Sequence, residues 1–156
     1  PRAVSVALRE ITARQDAAVT RQFFAMCAEA KIDVQHILYD DADIAHLARL
    51  VAQGDVPHDG LKTLIVLGRY TNGQTSTPTE VAALAQRLKS ALPDADWAAC
   101  AFGPQETACL IEAMRHGGKT RIGFENNRLN TDGQVAANNA ERVTELVTQA
   151  KRAGFA

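Results

Sequence analysis

Lys62-Thr63-Leu64-Ile65-Val66-Leu67 is a short run, rich in β-branched and apolar residues, that stops at Gly68. It is too short for a helix and reads as a strand. Four similar runs flank it: residues 97–102 (WAACAF) and 119–124 (KTRIGF) downstream, 32–39 (IDVQHILY) and 3–8 (AVSVAL) upstream. Helical patterns lie between them. Asp16 caps a helix with an expected apolar stripe of Val19, Phe23, Met26, Cys27 and Ala30. Asp41 or Asp43 caps the next, with Ile44, Leu47, Leu50 and Val51 inward. Thr77-Pro78-Thr79-Glu80 is a capping box with Pro at the first helical position, opening a helix that carries Val81, Leu84, Leu88 and Leu92. Pro104 begins a helix that stops at Gly117-Gly118. Asn138 and Glu141 cap the last, with Val143, Leu146, Val147 and Ala150 on one face.

Strand–helix alternation, repeated five times at close to the ~30-residue period of a βαβ unit, predicts a parallel sheet covered by helices. Two architectures satisfy it. One is a complete five-stranded doubly wound domain. The other is five units of an eight-unit barrel, which typically needs ~250 residues and so implies about three missing units. The chain has 156 residues and begins at Pro1 without Met, so a piece of something longer is expected.

Composition narrows the function. Apolar residues make up 46% and charged residues 22%, enough for one globular domain over 1–156. Seventeen basic against eighteen acidic residues leave a formal charge of -1, which argues against a nucleic-acid binder. No apolar run approaches the ~18 residues that span a bilayer, and the N-terminus lacks a signal-peptide pattern. Cys27, Cys100 and Cys109 are an odd number without C-x-x-C spacing. A disulfide framework or cysteine zinc cage is not expected, and a reducing cytoplasm is.

Chemistry in such folds collects at the C-terminal ends of strands. Those ends carry Arg9, Glu10, Asp40, Arg69, Arg121 and Glu125. Read as a continuous strand, residues 121–125 place Arg121, Gly123 and Glu125 on one face. A carboxylate there can bind a metal or move a proton, and an arginine can hold an anionic substrate. A buried Arg121–Glu125 pair that merely anchors the last strand is the plainer alternative. Gln35 and His36 interrupt the second strand, so one of them points into the interior, and His36 reads as a hydrogen-bonded core histidine. His46, His58 and His116 have no metal-binding spacing. The glycine spacing of residues 68–75 imitates a phosphate loop, but Gln74 stands where that loop needs Lys and the helix starts later. Lys119-Thr120 follows Gly118 but leads into a strand, and no G-x-G-x-x-G follows any strand. Cys100 reads as a packing residue.

The segments 67–78 (LGRYTNGQTSTP), 97–127 (WAACAFGPQETACLIEAMRHGGKTRIGFENN) and 135–143 (VAANNAERV) resemble the β-keto acid cleavage enzymes, the family that includes 3-keto-5-aminohexanoate cleavage enzyme. Residues 1–10 and 32–40 resemble it more loosely. The likeness covers the chain but only the C-terminal half of the family. It implies a TIM (β/α)8 barrel in which these five units are strands four to eight. It also implies a retro-Claisen type exchange in which a β-keto acid and acetyl-CoA give acetoacetate and a new CoA thioester. Zinc is then the implied cofactor, polarising the keto oxygen and stabilising the enolate. Carried over by motif, the zinc-binding Glu is Glu125 and the catalytic Arg is Arg121, while the H-x-H histidines lie outside this chain. The resemblance further implies a homo-oligomer, tetramers being common in the family. Three positions depart from the pattern. The acidic proton-transfer residue after the zinc Glu is Asn126, which cannot act as a base. The acid usual on the fifth strand is Gln35. The family's G-R-H-Q turn reads Gly103-Pro104-Gln105-Glu106. Glu10 is a candidate for the missing carboxylate, and Arg69 with Gln35 are candidates for substrate binding. Two further readings stay open: a non-catalytic, small-molecule-binding relative, and a self-contained α/β domain of unrelated function.

Overall fold

The computed structural model describes residues 1–13 and 16–155. The strands are β1 (Ala3–Ala7), β2 (Asp33–Leu38), β3 (Lys62–Leu67), β4 (Asp96–Ala101) and β5 (Lys119–Thr120). The helices are α1 (Leu8–Thr12), α2 (Ala17–Glu29), α3 (Asp41–Ala52), α4 (Pro78–Ala91), α5 (Glu106–Arg115) and α6 (Asn139–Arg152). The strands form one five-stranded sheet in sequence order. β1–β2, β2–β3 and β4–β5 pair parallel, with Ala3 opposite Asp33, His36 opposite Thr63 and Ala98 opposite Lys119. This is the α/β fold with a parallel sheet that the alternation predicts. No described helix is long and apolar enough to cross a membrane.

The chain divides into two compact units, one of residues 1–65 and 87–97, the other of residues 66–86 and 98–156. In the first, α2 buries Thr20, Phe24 and Cys27, while Val19 and Met26 of the expected stripe are 48% and 59% exposed. The Phe24 ring meets His36 of β2 with centroids 5.1 Å apart. That contact selects a helix face one residue further along than the periodicity predicts; the helix is apolar enough all round for both faces to look plausible. The N-cap of α3 is Asp40, neither Asp41 nor Asp43: its Oδ1 accepts from the Asp43 N–H at 3.0 Å. Asp43 instead turns inward, accepting from Arg9 Nε and the Tyr39 N–H. Burial pulls the Arg9 guanidinium down, but its bonds to Asp43 and Asp40 outweigh that and hold it above its usual value. α1 follows β1 without a break, so Arg9 and Glu10 sit on a helical turn that the sequence did not announce.

In the second unit the capping box of α4 is formed: Thr77 N–H donates to Glu80 Oε2 at 2.7 Å and Glu80 N–H to Thr77 Oγ1 at 3.4 Å. α5 begins at Glu106 rather than Pro104, because residues 104–105 are spent in a turn closed by Glu106 N–H on the Gly103 carbonyl. It ends where expected. Gly118 N–H bonds Ala113 O and Gly117 N–H bonds Met114 O, the paired closure that a left-handed Gly117 (φ 82°) permits. Asn138 caps α6 by accepting from Glu141 N–H at 3.0 Å. Leu146 and Ala150 are buried, but Val143 and Val147 stay 46% exposed, so only half of that expected face is covered.

Candidate functional site

β5 is the strand the sequence overestimates. Its ladder covers Lys119–Thr120 only, and Arg121 N–H on the Ala99 carbonyl at 2.9 Å is the sheet bond that follows it. Residues 123–126 are a bend and turn, with Asn126 N–H and Asn127 N–H both donating to the Gly123 carbonyl. Strand alternation therefore does not place Arg121 and Glu125 together. The turn does, bringing their side chains to 3.7 Å. Both are solvent-facing, 44% and 72% exposed, so the pair is not a buried anchor.

Arg121 Nη2 lies 3.3 Å from Cys100 Sγ, and the Arg69 guanidinium lies 5.6 Å from the centre of the Phe102 ring. Cys100 and Phe102 are two residues apart and share a face of the chain. Two arginines and one exposed carboxylate thus gather at the C-terminal end of β4. Cys100 is fully buried there, and burial pushes its thiol up to about 11, so it packs rather than attacks. The loop between β3 and α4 folds onto the same end. Thr71 Oγ1 donates to the loop carbonyls and Ser76 Oγ donates to the Phe102 carbonyl at 2.7 Å. A Cβ on Gly103 (φ 96°) would come within 2.6 Å of the Gln74 carbonyl, so this close approach requires glycine.

Asn126 is 8% exposed and turns away from solvent. Its Nδ2 donates to Glu106 Oε1 at 3.0 Å and to the Arg121 carbonyl at 3.5 Å, which commits both amide protons to the protein. Glu106 is the group the sequence reading missed. It is fully buried, and its Oε1 also accepts from the Gly123 N–H at 3.3 Å. Its Oε2 accepts from Arg142 Nη2 at 2.9 Å, and Arg142, equally buried, also bonds Thr107, Asn130 and Glu145. Burial pushes the Glu106 carboxyl above its usual range against the opposing pull of Arg142, Asn126 and Gly123. A signal for this pair was available: Arg142 falls on the helix face of Leu146 and Ala150, and Glu106 on that of Leu110 and Ala113. A charge on an apolar stripe implies a buried partner.

The remaining candidates lie in the first unit. Glu10 is exposed on α1. Gln35 is half-buried on β2, accepting from Ser5 Oγ at 3.0 Å, and borders a cavity of about 290 Å³ with Ala3, Val4, Ser5, Asp33 and Lys62. His36 takes the opposite face, against α2. Its Nδ1 has no hydrogen-bond partner, so it is a core histidine but not a fully bonded one. Among the described residues no three His, Cys, Asp or Glu side chains come together as a metal cage. Glu125, an exposed oxygen donor, has the chemistry to supply one ligand to a metal ion and no more.

The sequence of the chain matches the β-keto acid cleavage enzyme (BKACE) family over residues 2–156. That span takes in Arg69, Arg121, Glu125 and the turn between the last two. The chain belongs to the β-keto acid cleavage enzyme family.

Proposed function

We propose that the protein cleaves a β-keto acid with acetyl-CoA, giving acetoacetate and a new CoA thioester, and that its five units correspond to strands four to eight of a (β/α)8 barrel. The observation that carries the reading is the exposed Arg121–Glu125 pair at the C-terminal strand ends of the second unit. A planar guanidinium matches the two oxygens of a β-keto acid's carboxylate, so Arg121 binds and orients the substrate. Arg69, leaning on Phe102, offers a second positive charge to an anionic group. Glu125 supplies one carboxylate ligand to a zinc ion completed by histidines outside this chain. Zinc, when bound, polarises the keto oxygen and stabilises the enolate. Asn126 donates no free amide proton and accepts no proton, so it lends position rather than base chemistry.

The test is acetoacetate formation from acetyl-CoA and a panel of β-keto acids, measured by mass spectrometry with and without a chelator. Arg121→Gln is expected to lower kcat/KM by about 100-fold, the scale of a lost charge-assisted pair. Glu10→Gln checks the carboxylate raised by the sequence; full activity in that variant removes Glu10 from the mechanism. The second reading, a binding relative without turnover, is favoured by the inward amide of Asn126. Ligand binding that needs Arg121, with no acetoacetate from any substrate, would establish it in place of the first.

A further inference from the structure

We propose that Glu106 is a positioning residue for this site: its buried carboxylate, balanced by Arg142, holds the 123–127 turn and so sets Arg121 and Glu125 beside each other. The inference rests on the proposed function only in treating that pair as the reacting site.

The argument starts where the sheet ends. Beyond the Arg121 N–H, the turn's backbone donors have no strand to pair with. Two of them go to side-chain oxygens at helix starts: Gly123 N–H to Glu106 Oε1 on α5 and Phe124 N–H to Asn139 Oδ1 on α6. Asn126 Nδ2 then grips Glu106 from the far side of the turn, while its carbonyl accepts from Gly103 N–H at 3.1 Å. A simple stabilising ion pair would need only the Glu106 Oε2 contact with Arg142. The Oε1 atom spends both of its bonds on the turn instead. Removing the carboxylate takes the side-chain acceptor from the Gly123 N–H, leaves Asn126 Nδ2 only its long bond to the Arg121 carbonyl, and strips the buried Arg142 guanidinium of its partner on α5's first residue. The 106/126 pair also carries a single negative charge, one carboxylate facing one amide. That arrangement can be reversed as Glu106→Gln with Asn126→Asp. Asn126→Asp alone would set two carboxylates against each other in a buried place.

The experiment is residue-resolved amide exchange on the full chain without substrate, with Arg121 side-chain N–H resonances recorded alongside. Glu106→Ala is expected to speed exchange over residues 123–127 by about tenfold or more relative to amides of β4. Asn126→Asp should loosen the same turn and shift the Arg121 resonances, and adding Glu106→Gln should reverse both changes. If Glu106→Ala does not fold, the Asn126→Asp and double-exchange variants decide alone. Unchanged turn exchange, loosening shared equally by all elements, or no rescue by the double exchange would each overturn the proposal. Because exchange is read without turnover, a wild-type protein that carries the zinc-binding histidines and still makes no acetoacetate would sink the proposed function while leaving this result standing.

Discussion

His36 is 2% exposed, and burial lowers its imidazole to about 4. The unfolded value is ~6.5, so folding favours the neutral ring. The sign follows. The stability tied to neutral His36 is complete above about pH 6.5 and is lost as pH falls toward the folded value, by ~3 kcal/mol at most. Denaturant unfolding at pH 7 and pH 4 should show His36→Leu losing less stability between the two pH values than the parent does. An equal loss in both would mean the ring is not the titrating group. At this scale the placement of Arg121, Glu125 and Arg69 beyond strand ends was legible, since position after a strand is written in the chain. What Asn126 does was not, because its partner Glu106 lies 20 positions away.

Helix ends are the most readable elements. Asp16, the Thr77/Glu80 box and Asn138 all cap as their spacing implies, since each bond closes over two or three residues. Asn138→Ala should therefore cost about 1 kcal/mol in urea unfolding, the usual worth of an N-cap. It should also loosen the preceding loop, since Glu141, at the third residue of the helix, binds Asn130 and the Ala137 N–H. A loss of only a few tenths would mean that the cap is not made in solution. Helix faces were less readable. α2 rotates by one residue to meet His36, and α6 leaves Val143 and Val147 beside Met114, Ile122 and Phe155 around a cavity of about 490 Å³. Apolar periodicity says that a helix has a buried stripe; which of two adjacent rows is covered depends on the neighbour that arrives.

Across the molecule, β1 and β5 stand at the two ends of the strand order. Ala3 and Ser5 of β1 are exposed, and an edge strand of this kind invites pairing with another chain. The 156-residue chain is expected to associate with rising concentration in sedimentation velocity, and Ala3→Lys should weaken that association several-fold. A concentration-independent monomer would show that the edge is not adhesive. Strand number, the caps of α2, α4 and α6, and the placement of charged residues after β3 and β5 were determined by sequence alone, because each depends on residues within a turn or a short strand of one another. Tertiary structure decided where β5 stops, why Arg121 meets Glu125 through a turn rather than along a strand, and that Glu106 is buried against Arg142, 36 positions away. Those outcomes depend on desolvation and on hydrogen bonds between distant segments, which exist only once the chain has folded.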